Sequence, residues 1–138
     1  MSGKADGPPT SKVTYRGNGE TVLVVEDDVT LCKLVRALLT RLNFKVLTAA
    51  NGMEALLLVS ENQAELQLVI TDIQMPNMDG LEFTRELKAR LPRAGIIVTS
   101  GNMDKMTAAE FKQMGVIALL EKPFDAGQLI AVLKKAFK

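Results

Sequence analysis

One run of the chain joins an apolar strand directly to a polar turn: Leu66-Gln67-Leu68-Val69-Ile70-Thr71-Asp72, followed at once by Ile73-Gln74-Met75-Pro76-Asn77-Met78-Asp79-Gly80. A carboxylate where such a strand ends is a candidate nucleophile, because aspartate can form a covalent phosphate intermediate. An aspartate at a strand end is more often a turn former or a helix cap. The functional interpretation of Asp72 therefore depends on what the rest of the chain supplies.

The composition favours a single domain with no nucleic-acid surface. The chain has 138 residues, 47% of them hydrophobic, which is enough for one core and too little for two ordinary domains. Its net charge of +1 does not indicate the basic surface of a nucleic-acid-binding protein. Neither a membrane-spanning run nor a secretory signal is apparent, so we expect a cytoplasmic protein with no membrane insertion. Cys32 is the only cysteine, which excludes an internal disulfide.

Strand-like and helix-like periods alternate from Thr21 onward, which favours a parallel sheet with crossover helices. The predicted strands span 21–25, 44–48, 67–71, 95–99 and 116–120. The predicted helices follow at 29–42, 51–62, 81–91, 104–114 and 125–137. Five such units are too few for an eight-unit barrel, so we predict an α/β fold with an open, doubly wound sheet.

The first twenty residues differ in composition from the rest of the chain. They combine glycine, proline and scattered charge, which leaves little that could be buried. We therefore interpret residues 1–20 as a disordered linker or a cloning remnant, and residues 21–138 as the folded domain.

Polar side chains accompany the ends of four predicted strands. Glu26 and Asp27 follow the first strand, Asp72 the third, Ser100 the fourth and Lys122 the fifth. Ligands of open α/β sheets bind outside the carboxyl ends of the strands, so these side chains are expected to converge. Converging carboxylates repel one another unless a cation lies among them, and Mg²⁺ is the natural occupant. The Ser100 hydroxyl and the Lys122 ammonium would share the neutralisation of phosphoryl oxygens.

Local structural roles account for several neighbouring residues. Asp28 is expected only to cap the first helix. The turn that ends at Gly80 is interpreted as structural, with this glycine supplying backbone freedom. Lys122 precedes Pro123, where a cis peptide bond is accessible and could aim the ammonium.

Four segments of the chain match, in order and at the usual separations, the motifs of one known family. They are Val24-Val25-Glu26-Asp27-Asp28, Thr71-Asp72-Ile73-Gln74-Met75-Pro76-Asn77-Met78-Asp79-Gly80, Thr99-Ser100-Gly101 and Glu121-Lys122-Pro123-Phe124. Over about residues 21–138 the chain resembles the receiver domain of two-component response regulators. The resemblance implies a flavodoxin-like sheet with strand order 2-1-3-4-5.

The resemblance also implies a phosphorylation site with a metal ion. Asp72 would accept a phosphoryl group from the phosphohistidine of a sensor histidine kinase or a histidine phosphotransfer protein. The ligands of Mg²⁺ would be Glu26, Asp27, Asp72 and the backbone carbonyl of Gln74. Ser100 and Lys122 would contact the phosphoryl group.

Family analogy further implies how the aspartyl phosphate is hydrolysed and how phosphorylation changes the conformation of the domain. Gln74 and Asn102 would flank the attacking water and tune hydrolysis. Leu119 stands where the family usually has an aromatic residue that swings inward on activation. The aromatic half of that switch is absent, although loop movement driven by Ser100 remains available. Two milder departures are Glu26 in place of the commoner aspartate and Ser100 in place of threonine, which loses the methyl group that restricts the rotamer.

Two other functions stay open at this point. A small phosphatase with an aspartyl nucleophile would want a second aspartate two residues after Asp72, where this chain has Gln74. A pseudo-receiver would dock proteins without being phosphorylated, and the complete set of site residues counts against it. We expect no enzyme activity beyond self-catalysed phosphotransfer and autodephosphorylation. The chain is either a stand-alone receiver or part of a longer protein, and its glycine-rich lead resembles the linker before the carboxyl-terminal receiver of hybrid sensor histidine kinases.

Overall fold

A computed structural model describes residues 15–137 of the chain. Within them, strands and helices alternate as the sequence predicts. The elements are β1 (Thr21–Val25), α1 (Val29–Arg41), β2 (Lys45–Ala49), α2 (Gly52–Glu61), β3 (Leu66–Asp72), α3 (Gly80–Arg90), β4 (Gly95–Ser100), α4 (Lys105–Gln113), β5 (Ala118–Glu121) and α5 (Ala126–Ala136).

The strands form one parallel sheet in the order β2-β1-β3-β4-β5. This confirms the predicted doubly wound α/β fold and its strand order. Helices α1 and α5 pack on one face of the sheet, and α2, α3 and α4 pack on the other. Because the chain changes direction across the sheet after β2, the carboxyl ends of β1 and β3 lie beside the crevice where such folds bind ligands.

Strand β1 shows how the apolar sequence fills both faces of the sheet. Leu23 and Val25 point into the core beneath α2, α3 and α4, whereas Val22 and Val24 point into the core beneath α1 and α5. The alternation follows from the two-residue period of a strand. Burial of a large side chain such as the fully enclosed Phe111 of α4 stabilises the fold by about 1.5–3 kcal/mol.

Every helix begins at an Asx residue whose side chain accepts a hydrogen bond from the first turn. The five caps are Asp28, Asn51, Asp79, Asp104 and Asp125. A cap of this kind is worth about 1 kcal/mol. The predicted capping role of Asp28 is confirmed. Gly115, which follows the C-cap Met114 of α4, has a φ of 86°, a left-handed conformation that favours glycine.

Strands β2 to β5 each end one residue nearer the carboxyl edge than their apolar runs predict. Asp72 is the last residue of β3 and pairs with Thr99, and Ser100 is the last residue of β4 and pairs with Glu121. Strand β5 is correspondingly shifted, since it begins at Ala118 and not at Val116. Asp72 and Ser100 are therefore held by the ladder of the sheet itself and do not sit in the loops that follow.

The turn before α3 uses its residues differently from the prediction. Asn77, with φ of 58°, takes the left-handed conformation, while Gly80 does not have a positive φ. A Cβ atom at Gly80 would lie 2.6 Å from the Cβ of Ile73. Glycine is required at this position because of close packing and not because of backbone freedom.

The packed part of the chain begins earlier than the composition predicts. The Gly17 N–H donates to the carbonyl of Leu42 at 2.6 Å, and the Tyr15 hydroxyl donates to the carbonyl of Leu133 at 3.3 Å. The Tyr15 ring also lies against Phe44, with 6.3 Å between centroids. Residues 15–20 are thus attached to the domain, a correction to the predicted boundary. The rest of the predicted linker, residues 1–14, lies outside the described residues, as does residue 138.

Candidate functional site

The carboxyl edge of the sheet brings together the polar side chains of four segments. Glu26 follows β1, Asp72 and Ser100 end β3 and β4, and Lys122 follows β5. Parallel pairing places these strand ends side by side, and the Lys122 N–H donates to the carbonyl of Ser100 at 2.9 Å. The convergence that the sequence predicts is present in the structure.

Three carboxylates form an acidic cluster at this edge. One oxygen from each of Glu26, Asp27 and Asp72 lies within 4.8 Å of the other two. Glu26 and Asp72 are 5% and 3% exposed, whereas Asp27 is open to solvent. Carboxylate oxygens at this spacing are the donor set that hard divalent cations such as Mg²⁺ prefer, and the exposed Asp27 leaves a side for entry. The residues present therefore fit Mg²⁺.

Lys122 supplies the positive charge that balances the two buried carboxylates. Its Nζ lies 2.8 Å from Glu26 Oε1 and 3.0 Å from Asp72 Oδ2. The Lys122–Pro123 peptide bond is cis, as the sequence allows. A lysine bridging two carboxylates reduces their mutual repulsion, since each of them then has an opposite charge within hydrogen-bonding distance.

Backbone N–H groups hold both carboxylates in place. The Gln74 N–H donates to Asp72 Oδ1 at 2.9 Å, and the Asp28 N–H donates to Glu26 Oε2 at 3.1 Å. Lys122 already binds the other oxygen of each group. The first of these bonds also places the Gln74 backbone beside Asp72.

Burial and neighbouring charge together shift the pKa values of Glu26 and Lys122. Burial raises the pKa of Glu26 above its usual value, the neighbouring Asp72 charge adds to the rise, and the bonds from Lys122 and the Asp28 N–H oppose it. Burial alone would lower the pKa of Lys122, but its hydrogen bonds to Glu26 and Asp72 outweigh that effect and raise it. Lys122 therefore stays charged throughout the neutral range, and Glu26 carries the cost of enclosing negative charge.

The loop after β4 contains the second group of predicted site residues. Ser100 is fully buried, and its hydroxyl oxygen accepts from the Asn102 N–H at 3.1 Å. The side chain of Gln74 reaches the same loop, where its Oε1 accepts from the Gly101 N–H at 2.9 Å. Its Nε2 also donates to the Asn102 carbonyl at 3.5 Å. Gln74 and Asn102, which the resemblance assigns to one role, are therefore in contact.

The family model for the response regulator receiver domain matches residues 22–134. The chain belongs to this family. This receiver domain is 34% identical over 120 residues to the transcriptional regulatory protein ZraR of Klebsiella oxytoca. The matched stretch covers 87% of this chain and 27% of ZraR. The chain spans about a quarter of the length of the first curated relatives it matches.

Solved receiver structures have the same fold. A response regulator receiver domain from Clostridium thermocellum has a TM-score of 0.79 at 31% identity, covering 85% of this chain and 93% of that one. The response regulator protein TrrA of Thermotoga maritima, solved in complex with Mg²⁺ and BeF, has a TM-score of 0.73 at 27% identity, covering 85% and 98%. The receiver fold predicted from the four motifs is confirmed.

The predicted switch position of this receiver domain lies next to a small pocket. Leu119 is partly buried in β5 and packs against the core beneath α2, α3 and α4. With Ser100, Met103, Leu120 and Glu121 it lines a pocket of about 200 Å³. Aliphatic side chains therefore occupy the region where the family usually has its mobile aromatic residue.

Two features of the receiver site were missed by sequence reasoning. The direct ion pair between Glu26 and Lys122 was not predicted, nor was the hydrogen bond from Gly101 to the Gln74 side chain. Both depend on how side chains from separate loops meet, and no periodicity or spacing in the chain signals such contacts. Among residues 15–137 no helix has the length and apolar character needed to cross a membrane.

Proposed function

We propose that this receiver domain is a phosphoacceptor switch and that Asp72 carries the phosphoryl group. The observation that carries the proposal is the position of the Asp72 carboxylate, which is enclosed at the end of β3, shares an acidic cluster with Glu26 and Asp27, and binds the Lys122 ammonium. A buried carboxylate with a cation and a metal-binding donor set on the same edge has what phosphoryl transfer requires, namely positioning and charge neutralisation.

The donor in this proposal is the phosphohistidine of a sensor histidine kinase or a histidine phosphotransfer protein. An oxygen of Asp72 forms a bond to phosphorus while the bond from phosphorus to the imidazole nitrogen breaks, and the departing histidine keeps the electron pair and takes up a proton. When bound, Mg²⁺ neutralises developing charge on the phosphoryl oxygens. Lys122 and Ser100 are the protein groups that share this task.

The receiver performs both uptake and slow hydrolysis itself, and no further enzyme activity is proposed. Phosphorylation shifts the β4–α4 loop and β5, and a downstream protein recognises the changed surface, as charge-driven switches do. The domain inserts into no membrane, contacts no nucleic acid directly and works in the cytoplasm.

Acetyl phosphate, a small-molecule donor, tests the proposal without knowledge of the kinase. Intact-mass measurement should show one added phosphoryl group on the wild-type protein with Mg²⁺ and none with EDTA. Asp72→Asn should take up none, because the amide is a poor nucleophile. Asp104→Asn is the matched control, since it makes the same chemical change at an exposed cap where asparagine serves equally well.

The other outcomes decide between the remaining functions. Phosphate uptake by Asp72→Asn equal to wild type would sink the proposal. Turnover of a phosphomonoester beyond one equivalent would support the phosphatase instead. No uptake by the wild-type protein, together with no Mg²⁺ effect on its NMR shifts, would support a pseudo-receiver.

A further inference from the structure

The side chain of Gln74 joins the loop after β3 to the loop after β4. Its Oε1 accepts from the Gly101 N–H at 2.9 Å, and its Nε2 donates to the Asn102 carbonyl at 3.5 Å. Its own backbone N–H is bonded to Asp72 Oδ1 at 2.9 Å. One residue therefore connects the candidate phosphoacceptor with the segment directly after Ser100.

A hydrogen bond ties the Ser100 hydroxyl to that segment. Its hydroxyl oxygen accepts from the Asn102 N–H at 3.1 Å, which closes a small turn over Gly101. As long as this bond is kept, movement of the hydroxyl toward a phosphoryl group on Asp72 takes the backbone of Gly101 and Asn102 with it. The two bonds to the Gln74 side chain oppose that movement.

Little else restrains the loop at this point. Gly101 and Asn102 are exposed, and so is Gln74. Among residues 15–137, a Cβ atom built on Gly101 would meet within 4 Å only the Gln74 Oε1, at 3.6 Å, apart from its chain neighbours. Because water competes for exposed amide groups, each such bond contributes a small net stabilisation and can break reversibly.

We infer that Gln74 is a positioning residue that latches the β4–α4 loop in its resting arrangement, so that phosphoryl uptake has to break the contact with Gly101. This inference rests on the proposed role of Asp72. It assigns to the Gln74 side chain an effect on the uptake equilibrium, which is distinct from the effect on hydrolysis that family analogy gives it.

Beryllofluoride, a phosphoryl mimic, measures the uptake equilibrium in saturating Mg²⁺. Gln74→Met keeps the length of the side chain and removes both hydrogen-bonding groups. We expect it to lower the half-saturating beryllofluoride concentration by about two- to tenfold, the range that corresponds to one hydrogen bond, because the long 3.5 Å bond to Asn102 contributes little. Gln74→Glu keeps an acceptor for Gly101 and loses the donor to Asn102, so it should lie between wild type and Gln74→Met.

Amide exchange at Gly101, followed by NMR before any ligand is added, tests the latch directly. Exchange should be faster in Gln74→Met by a similar factor and largely restored in Gln74→Glu. Gln63→Met is the matched control, because Gln63 makes a comparable side-chain bond to the Arg90 carbonyl, away from the acidic cluster. It should change neither the exchange at Gly101 nor the binding of beryllofluoride.

Several results would overturn the inference. In Gln74→Met, unchanged Gly101 exchange, or an unchanged or raised half-saturating concentration, contradicts it, as does an effect confined to the rate of hydrolysis. If the wild-type protein does not bind beryllofluoride, the proposed function fails separately. In that case unchanged exchange at Gly101 still overturns the latch.

Discussion

The acidic cluster and the region around Leu119 lie at the same edge of the sheet but are built on different principles. Glu26, Asp72 and Lys122 are held by short, charged hydrogen bonds, and both carboxylates are almost fully enclosed. Leu119 and Met103 instead line a pocket and pack against the apolar core. Directional bonds fix the geometry that the chemistry needs, whereas the apolar packing around Leu119 does not depend on directional bonds. The phosphorylation chemistry of the acidic cluster and the transmission of the signal through the region around Leu119, here called the relay region, can therefore change independently.

The largest effect is expected from removing the charge that holds the cluster together. Lys122→Met leaves Glu26 and Asp72 enclosed beside each other with no compensating cation. Breaking a buried pair costs about 3–5 kcal/mol, and because the Lys122 side chain is 22% exposed we expect about 2–4 kcal/mol of lost unfolding free energy in EDTA. Urea unfolding measures this loss. Saturating Mg²⁺ should recover much of it, because the metal replaces the missing charge.

Lys134→Met controls for the loss of a lysine, since Lys134 is an exposed residue of α5. It should change the unfolding free energy by no more than about 0.5 kcal/mol, with or without Mg²⁺. An equal loss for Lys122→Met in EDTA and in Mg²⁺ would show that the cluster is not held by charge compensation.

The sequence predicts where the site residues lie but not which of their side chains are in contact. The positions of Asp72 and Ser100 follow from the period of the apolar strands, which is a local pattern, and from the shared edge of a parallel sheet. The contact of Gln74 with Gly101 joins residues 27 apart through one side chain, and no local pattern encodes it. The same reason applies to the pairing of Glu26 with Lys122.

For residues 15–20, the prediction of a disordered linker is wrong for a related reason. Composition indicates that residues 15–20 have little apolar surface to bury. Gly17 is nevertheless held by backbone hydrogen bonding to Leu42, and its missing side chain leaves room for the ring of Phe44, which lies 2.5 Å from where a Cβ would be. Composition does not reveal that a glycine such as Gly17 can pack closely against a ring because it has no side chain.

A smaller effect is expected from giving the relay region its usual aromatic residue. In Leu119→Tyr the added ring can use the neighbouring pocket of about 200 Å³, so we expect the unfolding free energy to change by less than about 1.5 kcal/mol. Acetyl phosphate uptake should remain close to that of wild type. Beryllofluoride should alter the fluorescence of the introduced tyrosine, since it sits beside Ser100 in a chain with one other tyrosine and no tryptophan.

Leu57→Tyr is the matched control, because Leu57 lies on α2 with 59% of its surface exposed. Its fluorescence should not respond to beryllofluoride. If Leu119→Tyr instead abolishes phosphoryl uptake while the protein remains folded, the chemistry depends on the relay region and the two are not separable.

The smallest effect is expected from the burial of the Glu26 carboxylate, which disfavours its ionised form. Its pKa is raised in the folded protein from the ordinary value of 4.5, so between that value and the folded pKa the native state binds more protons than the unfolded state. Wild-type unfolding free energy, measured in EDTA, should therefore decrease through that window as pH rises, relative to Glu26→Gln, which does not titrate. Above the folded pKa the difference should be constant. Mg²⁺ should shift the difference back in favour of wild type, because the ionised Glu26 then has a cation to bind. If the difference in unfolding free energy between wild type and Glu26→Gln does not depend on pH in EDTA, Lys122 fully offsets the burial of Glu26. The ionised Glu26 would then not destabilise the metal-free protein.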